Sequence, residues 1–151
     1  MVEDLYRQRV LNFLDAFYAG DIEAAQACCD DNYDIITYAP IELFPHLGHQ
    51  HGKDWVAEAI RTQQKRYSSR KHEIRFLSVD GARVATIQHL SLRKRNDDRV
   101  VQLEVAEFFT LRGGRILERR AFFDSFDFVQ QLLGQDLTDA YAASVRDAIR
   151  R

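Results

Sequence analysis

Between Val100 and Gly134 the pattern of apolar positions changes period twice. Val101, Leu103, Val105, Phe109 and Leu111 fall on alternate residues, the period of two that marks a half-buried strand. Gly113-Gly114 can take the positive φ angles of a two-residue hairpin turn, so Arg112 is predicted to face Arg115. Carried back along the strands, that register pairs Leu111 with Ile116, Phe109 with Glu118, Glu107 with Arg120, Val105 with Phe122 and Leu103 with Asp124. All of these pairs lie on one face. An otherwise apolar face is therefore expected to carry Glu107, Arg120 and Asp124, with Glu118 nearer the rim. From Ser125 to Leu133 the period becomes helical, and Gly134 ends the helix.

Taken from its start, the chain places Tyr6, Val10, Phe13 or Leu14, and Phe17 at helical spacing over residues 3–19. Gly20 closes that helix and Asp21 can cap a short second one over residues 22–29. Tyr33–Ala39 is β-branched and aromatic, a strand that stops near Pro40. Residues 40–52 read as a loop holding Pro40, Pro45, Gly48, Gly52, His46, His49 and His51. A third helix over Lys53–Tyr67 puts Trp55 or Val56, Ala59 and Ile60 on one side, and the basic stretch Lys65–Lys71 forms its solvated end and a turn. Antiparallel strands His72–Val79 and Val84–Arg95 precede the hairpin. With a two- or four-residue turn within Asn96–Arg99, Thr86, Gln88, Leu90 and Leu92 share the face of Glu107. His89 and Ile87 then lie on the outer face, whereas a three-residue loop reverses this. Asp136–Arg150 is a last amphipathic helix. Helix, helix, strand, helix, four antiparallel strands and terminal helices describe an α+β domain with helices over one face of a curved sheet. Such a sheet leaves a pocket on its covered face.

Composition narrows the classes. With 151 residues, 46% of them hydrophobic, a single domain with a substantial core is expected. A net charge of −2 gives no basic footprint for nucleic acid or an anionic membrane. No apolar run approaches the roughly 20 residues of a membrane span, and the charged amino terminus does not read as a secretory signal. Cys28 and Cys29 are adjacent, where an intramolecular bridge is strained, so free thiols in the cytoplasm are expected.

Three phrases carry a family resemblance: FYAGDIEAA at the first helix junction, GHQHGKDWVAEAI before the third helix, and EFFTLRGGRILERRAFFDSFDFVQQLLG in the hairpin and following helix. In this order, and on matching elements, the chain resembles the nuclear transport factor 2 superfamily, in particular its SnoaL-like branch. The resemblance covers about residues 5–134, with 135–151 as an added C-terminal helix. It implies a cone-shaped α+β barrel, cystatin-like, with a curved antiparallel sheet wrapped around helices, an interior pocket and frequent dimers. Against the ketosteroid isomerase pattern, the tyrosine position falls on Phe13, the base near Thr37 and the buried acid on Glu107. Two of those three roles are vacant, which argues against steroid isomerisation. Against the limonene epoxide hydrolase pattern, the middle-strand arginine and aspartate fall on Gln88 and Leu90 and the last aspartate on Asp124, so one carboxylate is missing. The acid/base aspartate of SnoaL-type polyketide cyclases is matched by Asp124.

Two readings of the site follow. In one, Asp124 is the acid/base, Glu107 and Arg120 stabilise developing charge, and Phe13, Thr37, Tyr38, His51, Trp55, Gln88 and Phe122 contact the substrate. That substrate is a small, partly apolar carbonyl or polyketide-like molecule, turned over without a cofactor by an isomerase, cyclase or hydrolase. In the other, the same pocket serves a non-catalytic binding module or partner subunit, Glu107 and Arg120 are a cross-strand ion pair, and Asp124 caps the helix after it. The loop histidines lack an accompanying carboxylate or cysteine motif, so no metal is expected; one of them contacts ligand or carries a proton. Ile87, Ala106, Phe108, Ala121 and Phe123 form an apolar outer patch expected to bury itself in a homodimer.

Overall fold

The computed structural model describes residues 2–151. Helix α1 (Val2–Ala19) buries Val10, Phe13, Leu14 and Phe17, one stripe at helical spacing, and α2 (Ile22–Ala27) follows with the Asp21 carboxylate accepting from Ala24 N–H at 3.1 Å. Strand β1 (Cys29–Tyr38) and the short β2 (Gly48–His51) lead into α3 (Lys53–Arg66). Strands β3 (Tyr67–Asp80), β4 (Arg83–Lys94), β5 (Val100–Arg112) and β6 (Arg115–Phe122) come next, then α4 (Ser125–Leu133) and α5 (Thr138–Arg150). This is the expected mixed α+β architecture, with α1 and α3 over a curved sheet.

Two features of the sheet depart from expectation. Its order is β2-β1-β6-β5-β4-β3, so β2 and β3 remain edges and the sheet does not close into a barrel. It is also not wholly antiparallel, because β1 runs parallel to β6. The whole middle of the chain separates these two strands, ample for the crossover that parallel pairing needs. Strand β2 lies inside the stretch read as loop: His49 pairs with Ile36 and His51 with Asp34. Four residues with glycine and histidine carry too little β pattern to announce a strand. Strands β1 and β3 each begin earlier than their apolar pattern, through Asp30-Asp31-Asn32 and through Ser68–Lys71. The first lies in a register shift between β1 and β6, where the Asp30 carboxylate accepts from Asn32 N–H at 2.9 Å and from Arg112 at 3.0 Å; the second pairs with β4 through Ser69, Arg70 and Lys71.

The hairpin departs from its predicted register in a way that decides the site. Gly113 and Gly114 have φ of 59° and 77°, Arg112 faces Arg115, and Leu111 faces Ile116, as the turn requires. One step further, Thr110 faces Glu118. Leu117 is thus an extra residue in β6, a β-bulge. Because side chains alternate across a strand, one extra residue exchanges the two faces for the rest of β6. Phe109 therefore faces Arg119 and Glu107 faces Ala121. Arg119 and Ala121 are buried beneath the helices, whereas Arg120 and Phe122 belong to the outer face. On β4 the predicted faces hold: Thr86 pairs with Glu107, Gln88 with Val105, and both Thr86 and Gln88 are buried.

Deleting Leu117 takes out the extra residue and leaves Glu118 opposite Thr110 and Arg119 opposite Phe109, so Arg119 stays inside beside Glu107. The deletion is expected to cost less than about 3 kcal/mol in urea unfolding, the lower end of the cost of breaking a buried ion pair. A loss as large as that of a variant lacking the Glu107 carboxylate would show that the pair had been broken.

Candidate active site

A cavity of about 670 Å³ opens between α3, the concave sheet face and α4. Its walls are mostly apolar: Phe17, Ile35, Phe44, Trp55, Leu90 and Phe128 are among them. Polar groups concentrate at two places. Tyr18, Glu107 and Arg119 form an inner end against α1. Lys65, Arg66, Lys94, Arg95 and Asn96 lie where the end of α3 meets the β4–β5 turn.

The inner end is built around two buried charges. Glu107 is fully buried and Arg119 is 5% exposed. Glu107 accepts on Oε1 from Gln88 Nε2 at 2.6 Å and on Oε2 from Arg119 Nε, so both carboxylate oxygens are engaged. Arg119 Nη1 donates to the Tyr33 hydroxyl at 3.5 Å, and its guanidinium carbon lies 5.1, 5.2 and 5.8 Å from the ring centres of Phe13, Phe17 and Phe109. Burial works against the charge on Arg119, but the adjacent Glu107 carboxylate outweighs it and holds the guanidinium protonated well above its ordinary range. Burial, reinforced by the negative charge of Glu107, pushes the Tyr18 hydroxyl up, so it stays protonated. Gln88 Nε2 donates to the Tyr18 oxygen at 3.4 Å, which leaves the Tyr18 proton available as a donor.

His46 supplies a different kind of group. It lines the cavity, and its Nδ1 is buried with no partner among the described residues. Burial, with the charge of Arg66 adding to it, pushes its pKa down, so the ring is neutral at neutral pH. The Trp55 indole N–H donates to the His46 carbonyl at 3.1 Å and ties the 40–47 loop to α3. Cys28 and Cys29 are buried free thiols; burial pushes Cys29 up to about 12, which rules it out as a nucleophile at neutral pH.

Among the residues singled out from the sequence, Glu107, Thr37 and Trp55 line the cavity. Phe13 and Gln88 sit directly behind the buried pair, each fully buried. The others lie elsewhere. Arg120 is on the outer face, 3.6 Å from Asp34, because of the bulge at Leu117. Asp124 is exposed, outside the cavity, and caps α4 by accepting from Asp127 N–H at 3.0 Å. Tyr38 and Phe122 stack on each other outside the sheet, with centroids 4.3 Å apart. His51 is on edge strand β2 and joins His49 in contacting Asp34. Arg119 and Tyr18 are the residues that the sequence reading did not place at the site; only the neighbouring Arg120 and the helical position beside Phe17 hinted at them. One of the three loop histidines was expected there, and it is His46 that lines the cavity in place of His51.

A family model described as a SnoaL-like domain matches residues 10–119. Among solved structures, a candidate isomerase from Rhodopseudomonas palustris is 26% identical, the match covering 89% of this chain and 100% of that one, with a TM-score of 0.77. An LEH-like epoxide hydrolase from M. tuberculosis is 22% identical over 94% of this chain and 99% of that one, with a TM-score of 0.73. A candidate SnoaL-like polyketide cyclase from Jannaschia sp. is 14% identical over 85% and 92%, also with a TM-score of 0.73. These last two likenesses concern the fold alone. No curated protein matches the chain.

Glu107→Ala strands Arg119 as a buried, unpaired cation and is expected to destabilise the protein by about 3–5 kcal/mol in denaturant titrations. Asp124→Ala removes only a helix cap and is expected to cost about 1 kcal/mol while leaving ligand affinity at the cavity unchanged.

Proposed function

The chain belongs to the SnoaL-like domain family, and on that footing we propose that it is an acid–base enzyme moving a proton beside a carbonyl group. The substrate is a small, partly apolar carbonyl compound held in the cavity. One observation carries the reading: two fixed donors and an unprotonated imidazole share one largely apolar cavity. The donors are the Tyr18 hydroxyl and the Arg119 guanidinium at the inner end; the imidazole is His46. A carbonyl oxygen against Tyr18 and Arg119 develops negative charge as a proton leaves the adjacent carbon, and fixed donors stabilise that charge best where the dielectric is low. His46 takes the proton and returns it at another carbon or after ring closure, which covers isomerisation and aldol-type cyclisation. Glu107 is not the base in this scheme, since both its oxygens are engaged; it positions Arg119. The likeness to a candidate isomerase supports this class of chemistry.

Two accompanying assignments belong to the same proposal. The outer sheet face carries Tyr38, Ile87, Phe108 and Phe122, each at least 40% exposed, with Phe122 stacked on Tyr38 and edge-on to Phe108. The charges flanking the patch, Arg75 with Glu104 and Arg120 with Asp34 and Glu118, are paired within the chain, so its apolar centre can be buried against a second copy without stranding a charge. It differs from the predicted patch because the bulge turns Ala121 and Phe123 inward and Phe122 outward. No described helix is long and apolar enough to cross a membrane, and the buried unpaired thiols fit a reducing, cytoplasmic compartment.

Exchange of the α-protons of α-tetralone for deuterium, followed by proton NMR, tests the chemistry. The protein is expected to accelerate exchange over buffer, His46→Ala to cut the acceleration by about 100-fold or more, and Tyr18→Phe to cut it by a similar factor. Since His46 acts unprotonated and its pKa is lowered, the rate should hold level as pH falls through the ordinary histidine range of about 6.5 and drop only below it. Quenching of Trp55, the only tryptophan and a cavity wall, reports binding separately. Binding without exchange across a panel of bicyclic ketones would make this a binding module. For the dimer, sedimentation at micromolar concentration should give two copies, and Phe122→Arg should give one; a wild-type monomer there sinks the assignment.

A further inference from the structure

The charges lining the cavity divide unevenly between its two polar ends. At the inner end Arg119 is matched by Glu107, so that end offers donors but no net charge. At the mouth Lys94 is matched by Asp97 at 2.8 Å, and Arg95 donates through Nε to the Gln64 carbonyl at 2.8 Å. Lys65 and Arg66 are exposed and have no carboxylate partner among the described residues. Of the cavity's lining, five side chains are cationic and Glu107 alone is a carboxylate. A protein with a net charge of −2 therefore presents a locally positive opening to its main cavity.

Basic residues in the last turn of a helix are ordinarily explained by the partial negative charge of its free carbonyls. In α3 three of the last four carbonyls already have partners. Gln63 O accepts from Tyr67 N–H, Gln64 O from the Arg95 side chain, and Arg66 O from Arg95 N–H. The side chains of Lys65 and Arg66 are not needed for the helix end. Arg66 is also close enough to the cavity wall to depress the neighbouring His46. The Gln63 side chain, on the same turn, lines the cavity with a buried amide oxygen that has no partner, and a side-chain amide can present either end to a ligand.

We propose that the natural ligand is a monocarboxylate: its acid group sits at the mouth on Arg66 and Lys65, and its apolar body reaches inward to Tyr18 and Arg119. A guanidinium fork matches a carboxylate in shape, and Lys65 beside it adds a further charged donor. The alternative seat, Arg119, is excluded by Glu107, which already occupies its Nε and cancels its charge. The acid group thereby fixes which end of the ligand enters first, so Arg66 and Lys65 are specificity residues that set the carbonyl against the inner donors. This rests on the cavity being the ligand site of the proposed function.

Isothermal titration calorimetry of the whole protein with naphthaleneacetate and naphthaleneacetamide tests it, the two probes differing in charge but hardly in shape. At low salt the acid is expected to bind about tenfold more tightly than the amide, with the preference shrinking as salt is raised. In the K65Q/R66Q double variant, whose changes are confined to exposed side chains, the preference should vanish while the amide keeps its wild-type affinity. Equal affinity for acid and amide in the wild type overturns the carboxylate assignment and leaves the cavity reading standing. The same holds for a preference that survives in the double variant. Binding of neither probe overturns both.

Discussion

The interaction on which the rest of this structure depends is the pair of Glu107 and Arg119, neither of which can remain buried without the other. Removing two ions from water costs several kcal/mol each, and their attraction repays this only where the remaining hydrogen-bonding capacity is also met. Here Gln88 takes the second oxygen of Glu107, Tyr33 accepts from Arg119, and three phenylalanine rings surround the guanidinium. These partners come from β1, β4, β5, β6 and α1. Elements distant in sequence are thus locked into one register by the requirement that a single buried charge be answered.

That lock depends on one residue out of pattern. Without the bulge at Leu117, β6 would turn Arg119 and Ala121 outward and Arg120 and Phe122 inward. The cavity would lose its small Ala121 wall, and the outer face would lose its aromatic stack. A bulge in an antiparallel pair beside a site commonly re-aims a side chain in this way. The present one re-aims the last five residues of a strand, and with them the composition of both faces.

Much of this was legible beforehand, and what was hidden was hidden for a physical reason. The Gly-Gly turn, the Arg112–Arg115 closure, the inward run of Thr86, Gln88 and Leu90 and the charged Glu107 on an apolar face all follow from local periodicity and turn chemistry. A carboxylate bound to an arginine between β5 and β6 was also foreseen, but as directly opposed residues, whereas Glu107 faces Ala121 and meets Arg119 on the diagonal. Which arginine was not, because LERRAFFD offers an arginine inward in either register and an aromatic or alanine after it. Local pattern is degenerate there, and the choice between the two registers is made by tertiary packing. Asp124 shows the same competition resolved locally: an aspartate just before a helix can meet its first N–H groups, and here it does. Strand β2 escaped notice because four residues can join a sheet through backbone alone.

The division of polarity inside the cavity follows from the same pair. A charge answered within the fold is no longer available to attract a ligand of opposite sign, but its outward donors stay fixed in place. The inner end therefore suits charge that appears only during reaction, where preorganised donors have most effect. Attraction of an already charged ligand falls to groups the fold has left unanswered, and these are at the mouth, where hydration makes an unpaired cation inexpensive. Folding physics alone thus separates the two tasks, with internally neutral donors deep in the cavity and free charge at its edge. A neutral His46 ring on the wall completes the arrangement without adding a charge to either end.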